Sequence, residues 1–361
     1  MKRSGTATRV LCTCFACLLL LLTPSLAACK RGSDVPLTPG LQTIEGVPVH
    51  DKDVAVKTDH YTVTPGMMGY FFYTCALDVL EQIKQTKEYD ETKLLHDQMY
   101  DESRSYYDMI MNEALAHVCK MLIYCEAARA EGVTLSDEER LEVEEMLTAE
   151  RVKAARDYSL EFSAYLKRVY GPQMTVKDMQ SILEMETLAS SFSQVVSDRM
   201  EASVTPEQVQ AYLDAKESID RTPSRNISFL YIPFAAGKVN AASVNRACEA
   251  MQKTPTVEAL KELAELGSFS EEPNLTPKNS GVPGITSWLF AKERSIGDWG
   301  RVDVEGATYI LLYTGNGLGY DEVAARMELF DAAYAAWHNS FVEALEFGYN
   351  YDCLDGYDLS K

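Results

Sequence analysis

The chain reads as a mainly helical α+β protein, on three observations. Between about Ser103 and Ser218 lie four or five helical segments in series, each with its own start signal. A compact α/β segment follows, bounded by two β-rich runs, Arg225–Ile232 and Thr308–Thr314. One more long amphipathic stretch, Asp321 to Phe347, closes the pattern. The α/β segment therefore reads as an insertion, and the last helix as a return to the helical body. A length of 361 residues is enough for two domains. A hydrophobic content of 46% with 24% charged residues is ordinary for a globular chain with a sizeable core. The net charge of −20 would repel a phosphate backbone, so a nucleic-acid partner is set aside; the acidity reads as a solvated surface.

The first residues carry Lys2, Arg3 and Arg9, then an apolar run from Val10 to Leu22 that is short for a transmembrane helix, then Pro24. Leu26-Ala27-Ala28-Cys29 follows and resembles the bacterial lipobox, in which small residues fit the peptidase and the cysteine thiol takes a diacylglyceryl group. The alternative is an ordinary signal peptide that happens to precede a cysteine. The resemblance implies a signal peptide over 1–28 and lipidation of Cys29. It also implies a position on the outer side of the plasma membrane, or on the outer membrane if the envelope has one. Residues 29–53, with Pro36, Pro39, Gly40, Gly46 and Pro48, read as a tether. Cys75, Cys119, Cys125, Cys248 and Cys353 remain; they are odd in number and without metal-ligand spacing. Cys119 and Cys125 are about 240° apart around one helix, so they read as small buried hydrophobes, with no disulfide between them.

In the N-terminal half, Val54–Val56 and His60–Val63 suit short strands or an extended lead-in. Thr64-Pro65 then starts a helix. Met67, Met68, Tyr70, Phe71, Phe72 and Tyr73 crowd its first turns. This cluster is either a core face or an adaptable apolar surface for unfolded segments, since Met repacks easily. The next helix carries Tyr107, Ile110, Ala114, Val118, Met121 and Leu122 at helical spacing and stops at Gly132. Ser136-Asp137-Glu138-Glu139 is a capping box opening a charged helix. Ser159 to Tyr170 is a short helix ended by Gly171. Thr175 to Asp178 then opens a helix of about 25 residues, roughly 37 Å long. Thr205-Pro206 opens the last of the series, with a good cap and a proline at the first position.

These motifs carry a resemblance. Cys119 to Glu139, with its Ala127-Ala128, Gly132-Val133-Thr134-Leu135 and Ser136-Asp137-Glu138-Glu139, resembles the N-terminal helices of the SurA and PrsA foldases. Val204-Thr205-Pro206-Glu207-Gln208-Val209, followed by Tyr212, is similar to the segment that precedes the parvulin domain of that family. The resemblance spans about residues 54–347. It implies a SurA/trigger-factor-like helical chaperone domain over 54–218 and an inserted parvulin-like α/β domain over 219–319. A C-terminal helix over 320–348 packs back on the helical body, and 349–361 is a tail. Leu263-Ala264 and Ser268 resemble a parvulin motif. The positions where parvulins carry two histidines hold Ser228 and Thr308, and no histidine lies between 118 and 337. The glycine-rich turn is matched only by Gly281–Gly284, ahead of Trp288. Trp288 and Phe290 are candidates for core or for a binding pocket.

The final stretch repeats Val323, Met327, Phe330, Tyr334, Trp337, Phe341 and Ala344 at alternating steps of four and three, a regular amphipathic stripe. It is expected to return to the N-terminal helices, the alternative being a homodimer seam. Three functions remain open. The first is a lipid-anchored chaperone for unfolded exported polypeptides, with the parvulin-like domain short of strong isomerase activity. The second is an active prolyl isomerase. The third is a surface lipoprotein that binds a ligand or a protein. The expectation is that no residue is assigned a catalytic role, no metal is bound and no cofactor is needed.

Overall fold

The computed structural model describes residues 46–86, 89–90, 92–234, 240–304 and 306–357. The signal-peptide and lipobox readings, with Cys29, lie outside the described residues, as does the tether up to residue 45. In chain order the elements are β1 (Gly46–Pro48), β2 (Val56–Lys57), β3 (Thr62–Val63), α1 (Pro65–Thr86), α2 (Tyr106–Ala130), α3 (Asp137–Tyr158), α4 (Phe162–Tyr170), α5 (Val176–Ser203) and α6 (Pro206–Asp214). Then come β4 (Pro223–Pro233), α7 (Ala241–Lys253), α8 (Val257–Glu262), β5 (Ser268–Leu275), α9 (Pro283–Leu289), β6 (Trp299–Val304), β7 (Ala307–Gly319), α10 (Tyr320–Val342), β8 (Phe347–Tyr349) and α11 (Tyr351–Leu354). The fold is mainly helical α+β, as the sequence predicts. It divides into two compact units. One is Glu201–Ala333; the other holds the described residues of Ala27–Met200 and Tyr334–Lys361.

In the helical unit, local chemistry sets the helix starts. Ser105 caps α2 and forms a reciprocal box with Asp108; Ser136 does the same for α3 with Glu139. Asp178 has a longer reach. Its carboxylate accepts from the Thr175 hydroxyl at 2.6 Å and from the Thr64 hydroxyl at 2.8 Å, so one acid ties the start of α5 to the start of α1. Helix α2 buries one broad face from Tyr106 to Val118, with Glu113 and Ala116 exposed on the other side, and is buried all round from Met121 to Ala128. Gly66 and Gly69 let α1 lie close to the turn after α4. A Cβ at either would sit 2.7 Å from the Gln173 carbonyl oxygen or 2.6 Å from that of Tyr170.

Three expectations are corrected here. The segment after the last helix is not a tail. β8 forms a four-stranded sheet in the order β1-β8-β2-β3, parallel to β1 and antiparallel to β2. Phe347 and Tyr349 are fully buried, Tyr349 meets Cys119 Sγ at 3.3 Å, and the Tyr107 hydroxyl donates to the Leu354 carbonyl. The physical reason is the phenol: it buries an apolar body and finds a partner for its hydroxyl. Gly348, expected to close the C-terminal helix, is accordingly a strand residue. The tether also ends sooner than residue 53, because Gly46–Pro48 already pairs with β8. The return helix ends at Val342, and its stripe is shallower than expected: Val323 is buried, while Tyr334, Trp337 and Phe341 are half-buried against the core of the helical unit.

The α/β unit is built on an antiparallel sheet in the order β5-β4-β7-β6. One face packs Leu230, Ile232, Ile310 and Leu312 under Val244, Ala247 and Met251 of α7 and Leu260 of α8. The other packs Ile227, Leu311 and Tyr313 under Ile285 and Leu289 of α9. Strands β5 and β6 and helix α9 are additions to the sequence reading. β5, Ser-Phe-Ser-Glu-Glu-Pro-Asn-Leu, is an edge strand that carries proline and acids, which hides its β character.

Replacing Tyr349 by Ala is expected to cost about 3 kcal/mol in the helical unit, read as a lowered urea midpoint. The outcome that contradicts the buried strand is an unchanged midpoint. A second expectation concerns Glu186 on α5. Burial pushes its carboxyl up to about 7 from 4.5. Below about pH 7 the folded state therefore holds the neutral acid, and stability falls as pH rises from about 4.5 through about 7. Glu186→Gln should gain on the order of 1–2 kcal/mol over wild type above pH 7 and nothing below pH 4.5, in paired denaturation series.

Candidate functional site

The structure places the sequence candidates in three settings. Ser228 on β4 and Thr308 on β7 are both buried and both lie on the sheet face covered by α7 and α8. Ser228 pairs with Leu312, whereas Thr308 pairs with Ile232. That offset of four positions puts the two roughly 13 Å apart along the strands. The Thr308 hydroxyl donates to Asp303 Oδ1 at 2.7 Å. The Arg301 guanidinium beside Asp303 holds its carboxyl below the usual range. Two buried hydroxyls that far apart make no acid–base pair.

Trp288 and Phe290 belong to the opposite face. Trp288 lies against Gly300 of β6, in space that a Cβ there would fill, and the Arg294 guanidinium stands 4.3 Å from its ring centroid. Phe290 lies under Arg225, which also covers Tyr313 and donates to the Leu289 carbonyl. Both rings are thus held by cation–π contacts at the end of α9. Farther along the same sheet face, Phe229, Tyr231 and Tyr309 form a half-buried row, with centroids 5.4 Å (Phe229–Tyr309) and 5.3 Å (Tyr231–Tyr309) apart. Sequence reading did not single out this row, although its every-second-residue spacing on β4 is legible.

Of the cluster at the start of α1, Met67, Met68, Phe71 and Phe72 are core, at 2% exposure or less. They pack against α2 and offer no open surface in this conformation. Tyr70 and Tyr73 are only half-buried. Tyr73 lines a cleft of about 380 Å³ in the helical unit. Its walls are Pro65 and Tyr73 from α1, the turn Tyr170-Gly171-Pro172-Gln173, and the segment from Asn350 to Tyr357; His50 and Lys52 stand alongside. Gly171 has a φ of +95°, and a Cβ there would lie 3.0 Å from the Tyr73 ring. Tyr357 is fixed twice: its ring stacks on Phe72 at 5.4 Å, and its hydroxyl donates to the Pro65 carbonyl at 2.8 Å. Burial raises the Tyr357 phenol well above its ordinary range and also raises the Cys353 thiol, so both are neutral at physiological pH. The sequence signal for this cleft was the Gly171-Pro172 turn together with the C-terminal tyrosines.

The cleft and the aromatic row offer ring and polar contacts, and neither places a nucleophile beside a base. Cys75, Cys119, Cys125, Cys248 and Cys353 are free, and burial pushes the first three up to about 12, so these three are poor nucleophiles. Among the described residues, no group of three or more His, Cys, Asp or Glu side chains is placed to hold a metal ion. No described helix is long and apolar enough to cross a membrane.

No family model matches the chain, and no curated protein sequence matches it. Solved structures align with it at low identity. PrsA from Bacillus subtilis is 14% identical over 74% of this chain and 91% of its own, with a TM-score of 0.33. The foldase protein PrsA from Streptococcus pneumoniae is 15% identical over 66% and 84%, with a TM-score of 0.29. A structure from the work on PEB4 and Cj1289, two SurA-like chaperones of Campylobacter jejuni, is 10% identical over 82% and 98%, with a TM-score of 0.24. These structures are PrsA and SurA-like chaperones.

Proposed function

We propose that the chain is an extracytoplasmic folding chaperone, anchored through a lipid on Cys29, that holds unfolded exported polypeptides. The observation that carries this reading is the architecture. A helical unit opens with the motif order that resembles the SurA and PrsA foldases and is interrupted by an α/β unit of strand, helix, helix and further strands. Clients are held by apolar and aromatic contact, and the net charge of −20 opposes aggregation of the complexes. A lipid anchor keeps the chaperone near the emerging chain and raises its effective concentration there.

The buried and separated Ser228 and Thr308 favour a holding role over catalysis. Prolyl isomerisation needs no covalent bond, and its barrier of about 18–20 kcal/mol can be lowered by a surface that twists the imide. The row Phe229, Tyr231 and Tyr309 is the feature that favours this second reading.

One purified preparation tests both. The expected result is suppressed light scattering of an unfolding client, with no acceleration of cis/trans exchange in a prolyl peptide. Accelerated exchange would transfer the assignment to the aromatic row. Unchanged scattering would sink the chaperone reading. Separately, Cys29→Ser should move the protein from the membrane fraction to the soluble fraction and remove the lipid mass; a wild-type protein without that mass contradicts the anchor.

A further inference from the structure

We propose that the cleft between α1, the Tyr170–Gln173 turn and the C-terminal segment takes a proline-containing stretch of extended polypeptide. The inference rests on the chaperone reading and gives it a site and a substrate class.

The lining selects the class. Tyr73, Tyr170 and Tyr357 line it together with Pro65 and Pro172. Aromatic-lined grooves of this kind fit the polyproline II helix, which is extended before it binds and so loses little entropy on docking. A volume of about 380 Å³ admits a few residues, within the usual range for ligand sites. The charges select further. Lys52 and Asp352 line the cleft and offset each other. In a chain of net charge −20, a near-neutral lining suits a neutral occupant better than an anion or a cation. The walls are also set in advance. Tyr357 is fixed by its bond to the Pro65 carbonyl and its stack on Phe72, and the space beside Tyr73 exists because residue 171 has no Cβ. A preformed cleft gives up little of its contact energy to ordering.

The test uses the full chain in detergent and a fluorescein-labelled peptide with the core Leu-Pro-Pro-Leu-Pro, read by anisotropy. Saturable binding is expected, with affinity about tenfold lower for the same peptide with each proline replaced by alanine. Tyr73→Ala and Tyr170→Ala should each weaken binding by about tenfold, and Tyr73→Phe by less than threefold, because the ring face makes the contact. Wild-type protein supplies a readout that no folding defect can confuse: bound peptide should slow alkylation of Cys353, located by mass spectrometry, and leave Cys248 unchanged. Equal affinity for the alanine peptide overturns the proposal, as does unprotected Cys353 at saturation. The client-scattering assay separates the two levels. If scattering is suppressed but the peptide fails these tests, the site falls and the chaperone reading stands. If the peptide protects Cys353 but scattering is unchanged, the cleft is a proline-peptide site and the chaperone reading falls.

Discussion

The helical unit depends on one constraint: the C-terminal half of α2, Met121 to Ala128, has no face left in water. The first three turns of α2 bury one broad face, with Ile110, Met111, Ala114, Leu115 and Val118, and leave Glu113 and Ala116 exposed, but from Met121 to Ala128 every residue around the helix is buried. Such a helix is stable only when enclosed. Helix α1 covers one side, with Phe71 and Phe72 facing it. Tyr349 and the residues to Tyr357 enclose more, and they come from the far end of the chain. Tyr334 and Trp337 cover Tyr124, whose hydroxyl bonds that of Tyr334. The enclosure is therefore completed only when the C-terminal residues arrive. This explains why so short a segment, Phe347 to Leu354, is built from side chains that bury an apolar body and still satisfy a polar tip.

The α/β unit lies in the chain between Met200 and Tyr334, while the β1-β8-β2-β3 sheet joins the residues near 46–63 to those at 347–349 within the helical unit. Glu201–Ala333 is compact in its own right because its sheet is covered on both faces, by α7 and α8 on one and by α9 on the other. Double coverage also settles what Ser228 and Thr308 can do. A hydroxyl under a packed helix layer meets no substrate, and neither residue carries a group that exchanges protons near neutral pH.

What the sequence made legible was local. The box at Ser136, the cap at Thr205 with its following proline and the pair Thr175–Asp178 are read within four residues and are made as read, and Gln208 adds a reciprocal bond at Thr205. The alternation along β4 and the apolar run of β7 are likewise carried by neighbouring residues. What escaped was non-local. β8 is three residues long, too short for a period, and its partner β1 lies some 300 positions earlier. β5 reads as loop because an edge strand is protected by the residues that disguise it, Glu271, Glu272 and Pro273. The cleft was half legible: Tyr73 stood within the cluster singled out at the start of α1, but Tyr170 and Tyr357 reach it only through the approach that Gly66 and Gly69 permit.

The fate of that cluster bears on how such a protein can hold many partners. Methionine adapts to varied surfaces because its side chain is flexible and polarizable. Met67 and Met68 have lost that freedom, since each is enclosed by α2 and its neighbours. On the chaperone reading, recognition in the helical unit then falls to tyrosine. A tyrosine ring has two χ angles to immobilise, so it offers area at low entropic cost and gains more from a fixed position than from mobility. Tyr357, with its ring on Phe72 and its hydroxyl on the Pro65 carbonyl, is fixed in that way. A surface of rigid rings cannot remodel itself around each client, so breadth has to come from what clients share. Proline-containing extended segments are shared by many chains before they fold, and on that proposal a short, near-neutral cleft reads their polyproline-like conformation and not one particular sequence.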